Sequence, residues 1–113
     1  MMADPTARDL LSSILDNIEA VENGVAGLEP SAFEADAPIR DAVERCVERI
    51  AAALAALGER ASDLPAGDIP AVAGELHRAT QPLRADLLWT LIGRDLPALK
   101  LSTALLHDRQ GDD

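Results

Sequence analysis

The chain predicts an all-α fold, an up-and-down antiparallel helical bundle of the four-helix type with short extra helices, expected to dimerise. Three observations point there. Among 113 residues there are 21 Ala and 17 Leu but only one Phe, one Trp and no Tyr, a composition that favours helices over strands. Apolar residues recur at steps of three and four along the chain. Proline, glycine and aspartate punctuate the apolar stretches at short intervals, as loops between neighbouring helices require. Leu, Ile, Val and Phe make up about a quarter of the residues, enough apolar side chain to drive collapse despite the charge.

The first helix is predicted to open at Asp4-Pro5, an N-cap residue followed by a proline whose missing N–H costs nothing in the first turn. Its apolar face is Leu11, Ile14, Ile18, Val21 and Val25, with Asp9, Asp16, Glu19 and Glu22 mostly opposite, and Gly24 and Gly27 end it. Ser31-Ala32-Phe33-Glu34 has the form of a capping box and predicts one short turn before Asp36-Ala37-Pro38 breaks and restarts the chain. The second long helix, about Pro38 to Arg60, carries the seam Val43, Val47, Ile50, Leu54 and Leu57. Its other face changes from charged residues to Ala51, Ala52, Ala53, Ala55 and Ala56, which suits a close helix neighbour or a dimer partner.

Ser62 to Asp68 reads as a loop, and a short helix is expected from Pro70 to about Thr80, before Pro82. The last segment presents Leu83, Leu87, Leu88, Leu91 and Ile92, then Asp95-Leu96-Pro97, then Leu99, Leu101, Leu105 and Leu106; Pro97 should kink or restart it. His107 to Asp113 reads as a polar, fraying tail, so a single domain spans 1–113 with its core at about 5–106.

Charge and chemistry narrow the function classes. Twenty acidic residues against ten basic give a formal charge of −10, which disfavours broad nucleic-acid binding and leaves only local RNA contacts. One cysteine, Cys46, forms no internal disulfide, and two histidines give no zinc-ligand spacing, so neither a metal nor a cofactor is expected. No apolar run reaches the roughly 20 residues of a membrane span, and Met1 to Arg8 lacks the order of a signal peptide, so the expected location is the cytoplasm. No phosphate loop, nucleophile elbow or zinc-protease motif occurs.

The candidate catalytic residues are His77, Arg78 and Arg84, where a titratable imidazole and two fixed positive charges fall near a loop–helix junction. Such a set could act on a phosphodiester, His as acid or base and Arg against the anionic transition state. A lone histidine near a helix end is more often a solvated or C-terminal-capping residue, and that is the stronger reading of His77. Cys46, beside the seam, reads as a buried small hydrophobe, and Trp89, next to Leu88, as core or dimer-interface packing, although it could anchor a ligand.

Read in order, Arg8-Asp9-Leu10-Leu11 with Ile14, Ile18 and Val21-Glu22, then Phe33 and Asp36, then Arg40-Asp41-Ala42-Val43-Glu44-Arg45 with Ile50, resembles the opening of HepT-like proteins. Leu87-Leu88-Trp89-Thr90 followed by Asp95-Leu96-Pro97-Ala98-Leu99-Lys100 is similar to that family's Val-Trp and Asp-Leu-Pro-x-Leu-Lys ending, so the resemblance spans about residues 8–106. It implies a small helical-bundle homodimer, in the family commonly the ribonuclease toxin of a toxin–antitoxin pair whose antitoxin is an MNT-type minimal nucleotidyltransferase.

The family's signature is Arg-x4-His-x-Tyr, in which Arg and His would act on RNA phosphates and the antitoxin can attach AMP to Tyr. Here that signature is missing. Counted back from Trp89, its three positions hold Ala73, Arg78 and Thr80; shifted by one to use His77, the outer two hold Val72 and Ala79. The chain has no tyrosine to modify, and the family's Gly-Glu-Ala after the seam reads Ala51-Ala52-Ala53. The segment from Pro70 to Trp89 is also a few residues shorter than the family's.

The resemblance therefore implies a degenerate member, a binding or regulatory protein with a nucleotidyltransferase as expected partner and no membrane role. Two alternatives stand beside it: a divergent metal-independent ribonuclease using His77, Arg78 and Arg84, and a structural or adaptor bundle whose acidic surface serves solubility.

Overall fold

A computed structural model of the chain describes residues 6–78 and 85–111, and no strand occurs among them. Helix α1 spans Ala7–Val25. Its cap is Thr6, not Asp4, which lies outside the described residues together with Pro5. Thr6 Oγ1 accepts from the Asp9 N–H at 3.1 Å, and the Asp9 carboxylate accepts from the Thr6 N–H at 3.3 Å. Two of the four orphan donors of the helix start are satisfied by this reciprocal pair. Leu11, Ile14, Ile18 and Val21 are buried as their spacing predicts. Gly24 remains inside the helix, and Gly27 turns the chain at a φ of +78°.

Helix α2, Pro30–Ala35, starts earlier than the expected box at Ser31, which instead lies within the helix. Proline at the first position needs no donor partner and arrives with helical φ, so the start falls at Pro30; Glu29 at the cap makes no side-chain bond. Asp36 ends α2 and caps α3, its Oδ1 accepting from the Ile39 N–H at 3.1 Å. Helix α3, Ala37–Leu57, buries Val43, Cys46, Val47, Ile50, Ala53, Leu54 and Leu57. It stops short of the expected Arg60 because Gly58 takes a φ of +58°, and a 3₁₀ turn continues over Gly58–Ala61. On its alanine-rich face Ala53 is buried and Ala51 half-buried, whereas Ala52, Ala55 and Ala56 remain exposed.

Helix α4 spans Ile69–Arg78, one residue earlier at its start than Pro70, because Ile69 is drawn wholly into the core. Thr80, Pro82 and Leu83 lie outside the described residues. Helix α5, Ala85–Thr90, leads directly into a π-helical turn, Leu91–Asp95, and then into α6, Leu96–Gly111. The Leu96 N–H reaches back five residues to the Leu91 carbonyl. That wider turn lies immediately before Pro97, which has no N–H and would crowd a regular preceding turn. Pro97 therefore restarts the helix rather than ending it.

The tail does not begin at His107: α6 continues to Gly111, and His107 Nε2 lies 2.9 Å from Ser12 Oγ on α1. Lys100 Nζ donates to Glu22 Oε1 at 2.8 Å. Since the later α6 residue meets the earlier α1 residue, these two helices run antiparallel. Helix α1 packs against both α3 and α6, α4 against α3, and α2 against α5. Their apolar faces meet in one buried cluster that includes Phe33, Leu88, Leu91, Leu96 and Leu99. The radius of gyration, 14.3 Å, is close to the ~13 Å of a compact chain of about this length.

Candidate functional site

His77 and Arg78 fall in the last turn of α4. Their side chains, and the whole of Arg84, lie outside the described residues. Among the described residues, a network of polar contacts joins the turn before α4 to the π turn before α6.

There Asp95 is buried, 7% exposed, and ionised. Its Oδ2 accepts from the Asp68 N–H at 3.1 Å and its Oδ1 from Arg94 Nε at 2.7 Å. Arg94 also reaches Asp68 Oδ2 at 2.6 Å, so one guanidinium ties the α4 cap residue to the π turn. The Arg94 hydrogen bond holds the Asp95 carboxyl below the usual carboxylate range, against the opposing effect of burial, and the Asp68 N–H adds to the lowering. Both carboxylates in turn raise the affinity of Arg94 for its proton. Close approach is possible only because position 67 is glycine: at a φ of +55°, an added Cβ would lie 2.7 Å from Asp95 Cγ. A carboxylate so fully occupied by donors fixes backbone; it has no proton to give and little capacity to take one.

Nothing in the sequence reading marked this triad as a unit. In sequence Asp68 closes a loop and Asp95 belongs to the family-like ending, and only the fold brings them together across 26 intervening residues. A glycine–aspartate pair opposite an arginine–aspartate pair is the signal that was present, but it carries no spacing rule that would link the two.

Cys46 is 8% exposed, and burial pushes its thiol up despite the opposing charges of Arg49 and Arg45. It lines an apolar hollow of about 110 Å³ between the C-terminal end of α1 and the N-terminal end of α3, with Val21, Gly24, Ile39 and Val43. A protonated, buried thiol in that setting packs, as the sequence led us to expect.

Trp89 is half-buried on Phe33, the ring centroids 5.2 Å apart and the planes at 43°. Beside it, between α2 and α5, lies a hollow of about 150 Å³ lined by Pro30, Glu34, Ala85, Asp86, Trp89 and Thr90. Another of similar size lies between the loop after the 3₁₀ turn and α6, at Asp63, Leu64, Ser102, Leu105, Leu106 and Arg109. Among the described residues no cluster of three or more His, Cys, Asp or Glu is placed to hold a metal ion, and no helix is long and apolar enough to cross a membrane. Comparison with protein families, with curated proteins and with solved structures finds no match for the chain.

Proposed function

We propose that this chain is a degenerate HepT-like protein: an up-and-down helical bundle that forms a homodimer, binds an MNT-type nucleotidyltransferase and acts by binding rather than by cutting RNA. The observation that carries this reading is the division of labour between frame and motif. Of the apolar residues of the resemblance, Leu11, Ile14, Ile18, Val21, Phe33, Val43, Ile50, Leu88, Leu96 and Leu99 are buried, whereas Leu10 and Trp89 are half-buried and Ala42, Leu87 and Ala98 exposed; Asp95 of the Asp-Leu-Pro stretch ties two elements together. The positions of the ribonuclease signature hold Ala73, Arg78 and Thr80, and the chain has no tyrosine.

Apolar surface for an interface is also available. Leu101 and Leu105, 67% and 55% exposed, follow each other by one turn on α6, and Leu87 is 46% exposed on α5. Ala52, Ala55 and Ala56 leave a low ridge on α3 over which a second helix could pass closely.

The test is co-expression with the nucleotidyltransferase encoded nearest to this chain, followed by mass measurement of what co-purifies, and an RNA-cleavage assay on the same preparation. A dimer that retains the nucleotidyltransferase and leaves RNA intact is the expected result. A strict monomer that ignores such a partner defeats the reading, and RNA cleavage that disappears in His77→Ala replaces it with the ribonuclease built on His77, Arg78 and Arg84.

A further inference from the structure

The hollow between α1 and α3 has a floor of Val21, Val43 and Cys46, all buried, and a mouth of Ala20, Gly24 and Ala42, all exposed. The space stays open because Gly24 has no side chain: a Cβ added there meets nothing within 4 Å. An apolar cavity of about 150 Å³ accommodates the six carbons of benzene. In proportion, the volume of about 110 Å³ between α1 and α3 suits the four carbons of a leucine side chain.

We propose that this hollow receives Leu101 from a second copy of the chain, in a two-fold dimer to which each copy supplies one leucine and one hollow. The proposal rests on the homodimer of the proposed function and names the face that forms it. Leu101 is 67% exposed, more than Leu87 or Leu105. Its height on the molecule matches the hollow. Lys100 donates to Glu22 at 2.8 Å, so the next residue, Leu101, stands level with the Val21–Gly24 end of α1.

Its direction matches as well. Glu22 meets α6 and Gly24 borders α3, about 200° apart around α1, so α6 and α3 flank α1 on opposite sides. Leu101 is about 200° around α6 from buried Leu99, and Ala20 about 200° around α1 from buried Ile18. Leucine and mouth therefore both face away from the core, on one surface made of α6, α1 and α3. A two-fold axis parallel to the helices keeps each residue at its own height, and it lays α6 of one copy over the α1–α3 groove of the other.

Charge agrees with this placement. Helices α3 and α6 both run against α1, so they run the same way. Seven residues beyond Ala42 stands Arg49, and seven beyond Leu101 stands Asp108, both exposed, so opposite charges fall at one height across the contact. With α1 roughly 28 Å long and helix axes about 9 Å apart, the overlapping face offers roughly 600 Å² a copy. That reaches the lower end of stable interfaces, about 1,200 Å² in total.

Sedimentation equilibrium of the full chain gives the dimer dissociation constant for the parent, Gly24→Leu and Leu101→Ala. Gly24→Leu fills the hollow from within, on a helix whose propensity it improves, and Leu101→Ala removes the guest. Each should raise the constant about tenfold or more, since the contact is made twice. The double variant should go no further than the larger single change, because both remove the same contact. Ala71→Leu, which adds a leucine at an exposed position of α4, should leave the constant unchanged, and circular dichroism verifies that every variant is folded. A parent dimer whose constant neither variant changes overturns the proposal and leaves a homodimer on another face. Fully additive losses in the double variant overturn it too, as does equal weakening by Ala71→Leu. A parent that stays monomeric at every concentration overturns the homodimer itself and this face with it.

Discussion

At Gly67 two constraints coincide, a φ of +55° and a Cβ position 2.7 Å from the Asp95 carboxyl carbon. Gly67→Ala should therefore cost about 1–3 kcal/mol, since strain at positive φ and the displacement of a buried ion both fall on one methyl group. Urea unfolding of the variant beside the parent measures it. Asp95 itself makes a pH-dependent contribution. Its folded carboxyl titrates below the ordinary 3.8, so ionised Asp95 adds stability that is fully present above about pH 4 and is lost as pH falls through the lower folded value. Asp95→Asn should lose about 1–3 kcal/mol at neutral pH, where donors are left poorly matched, and its stability should fall less steeply on acidification. Denaturation midpoints at neutral and acid pH compare the two curves. Residues of this kind were the least legible. Thr6 and Asp4 offer the same cap chemistry two positions apart, so local pattern does not choose between them, and the Arg94–Asp95–Asp68 contact depends on a chain reversal that no local pattern encodes.

At the level of the helices, periodicity was the dependable signal. Leu11, Ile14, Ile18 and Val21 on α1 and Val43, Val47, Ile50, Leu54 and Leu57 on α3 are buried as their steps of three and four require, because one-sided burial is the only way such a stripe leaves water. The stripe misleads on α6, where leucines surround the helix. Leu99 is fully buried while Leu101 and Leu105 face outward, and sequence alone gave no reason to separate them. Alanine substitution should separate them by measurement: Ile50→Ala about 2–5 kcal/mol, Leu105→Ala within about 0.5 kcal/mol in the isolated chain. His107 shows the same limit. Its polar surroundings suggested fraying, but its imidazole meets Ser12 from a helix 95 residues away in sequence. His107→Ala should lower the hydrogen-exchange protection of the last turns of α6 and leave α3 unaffected.

On the scale of the whole molecule, charge governs association. Two copies of a chain at −10 repel, so a dimer held by apolar surface should tighten as salt rises, with a lower dissociation constant at high ionic strength than at low. Sedimentation equilibrium at two salt concentrations checks this, and the opposite trend would indicate an interface built on ion pairs. The all-helical class was legible from composition because Ala and Leu abound while strand-favouring residues are scarce. The proposed catalytic set was legible only as residue types in proximity along the chain. His77, Arg78 and Arg84 share a neighbourhood in sequence, which does not determine whether their side chains share one in space.

The π turn has a meaning in chain length. Leu88, Leu91, Leu96, Leu99 and Thr103 are buried at steps of three, five, three and four, and the five coincides with Leu91–Asp95. Remove one residue there, Gly93 for instance, and the steps become three, four, three and four, the phase of an unbroken helix. The turn thus amounts to a single-residue insertion that the core has absorbed without losing register, and a shortened chain could keep the same leucines inside. What it would forfeit is the widened turn ahead of Pro97 and the angle at which Asp95 meets the start of α4. Length variants at this one position would then trade a straight helix for an anchored one.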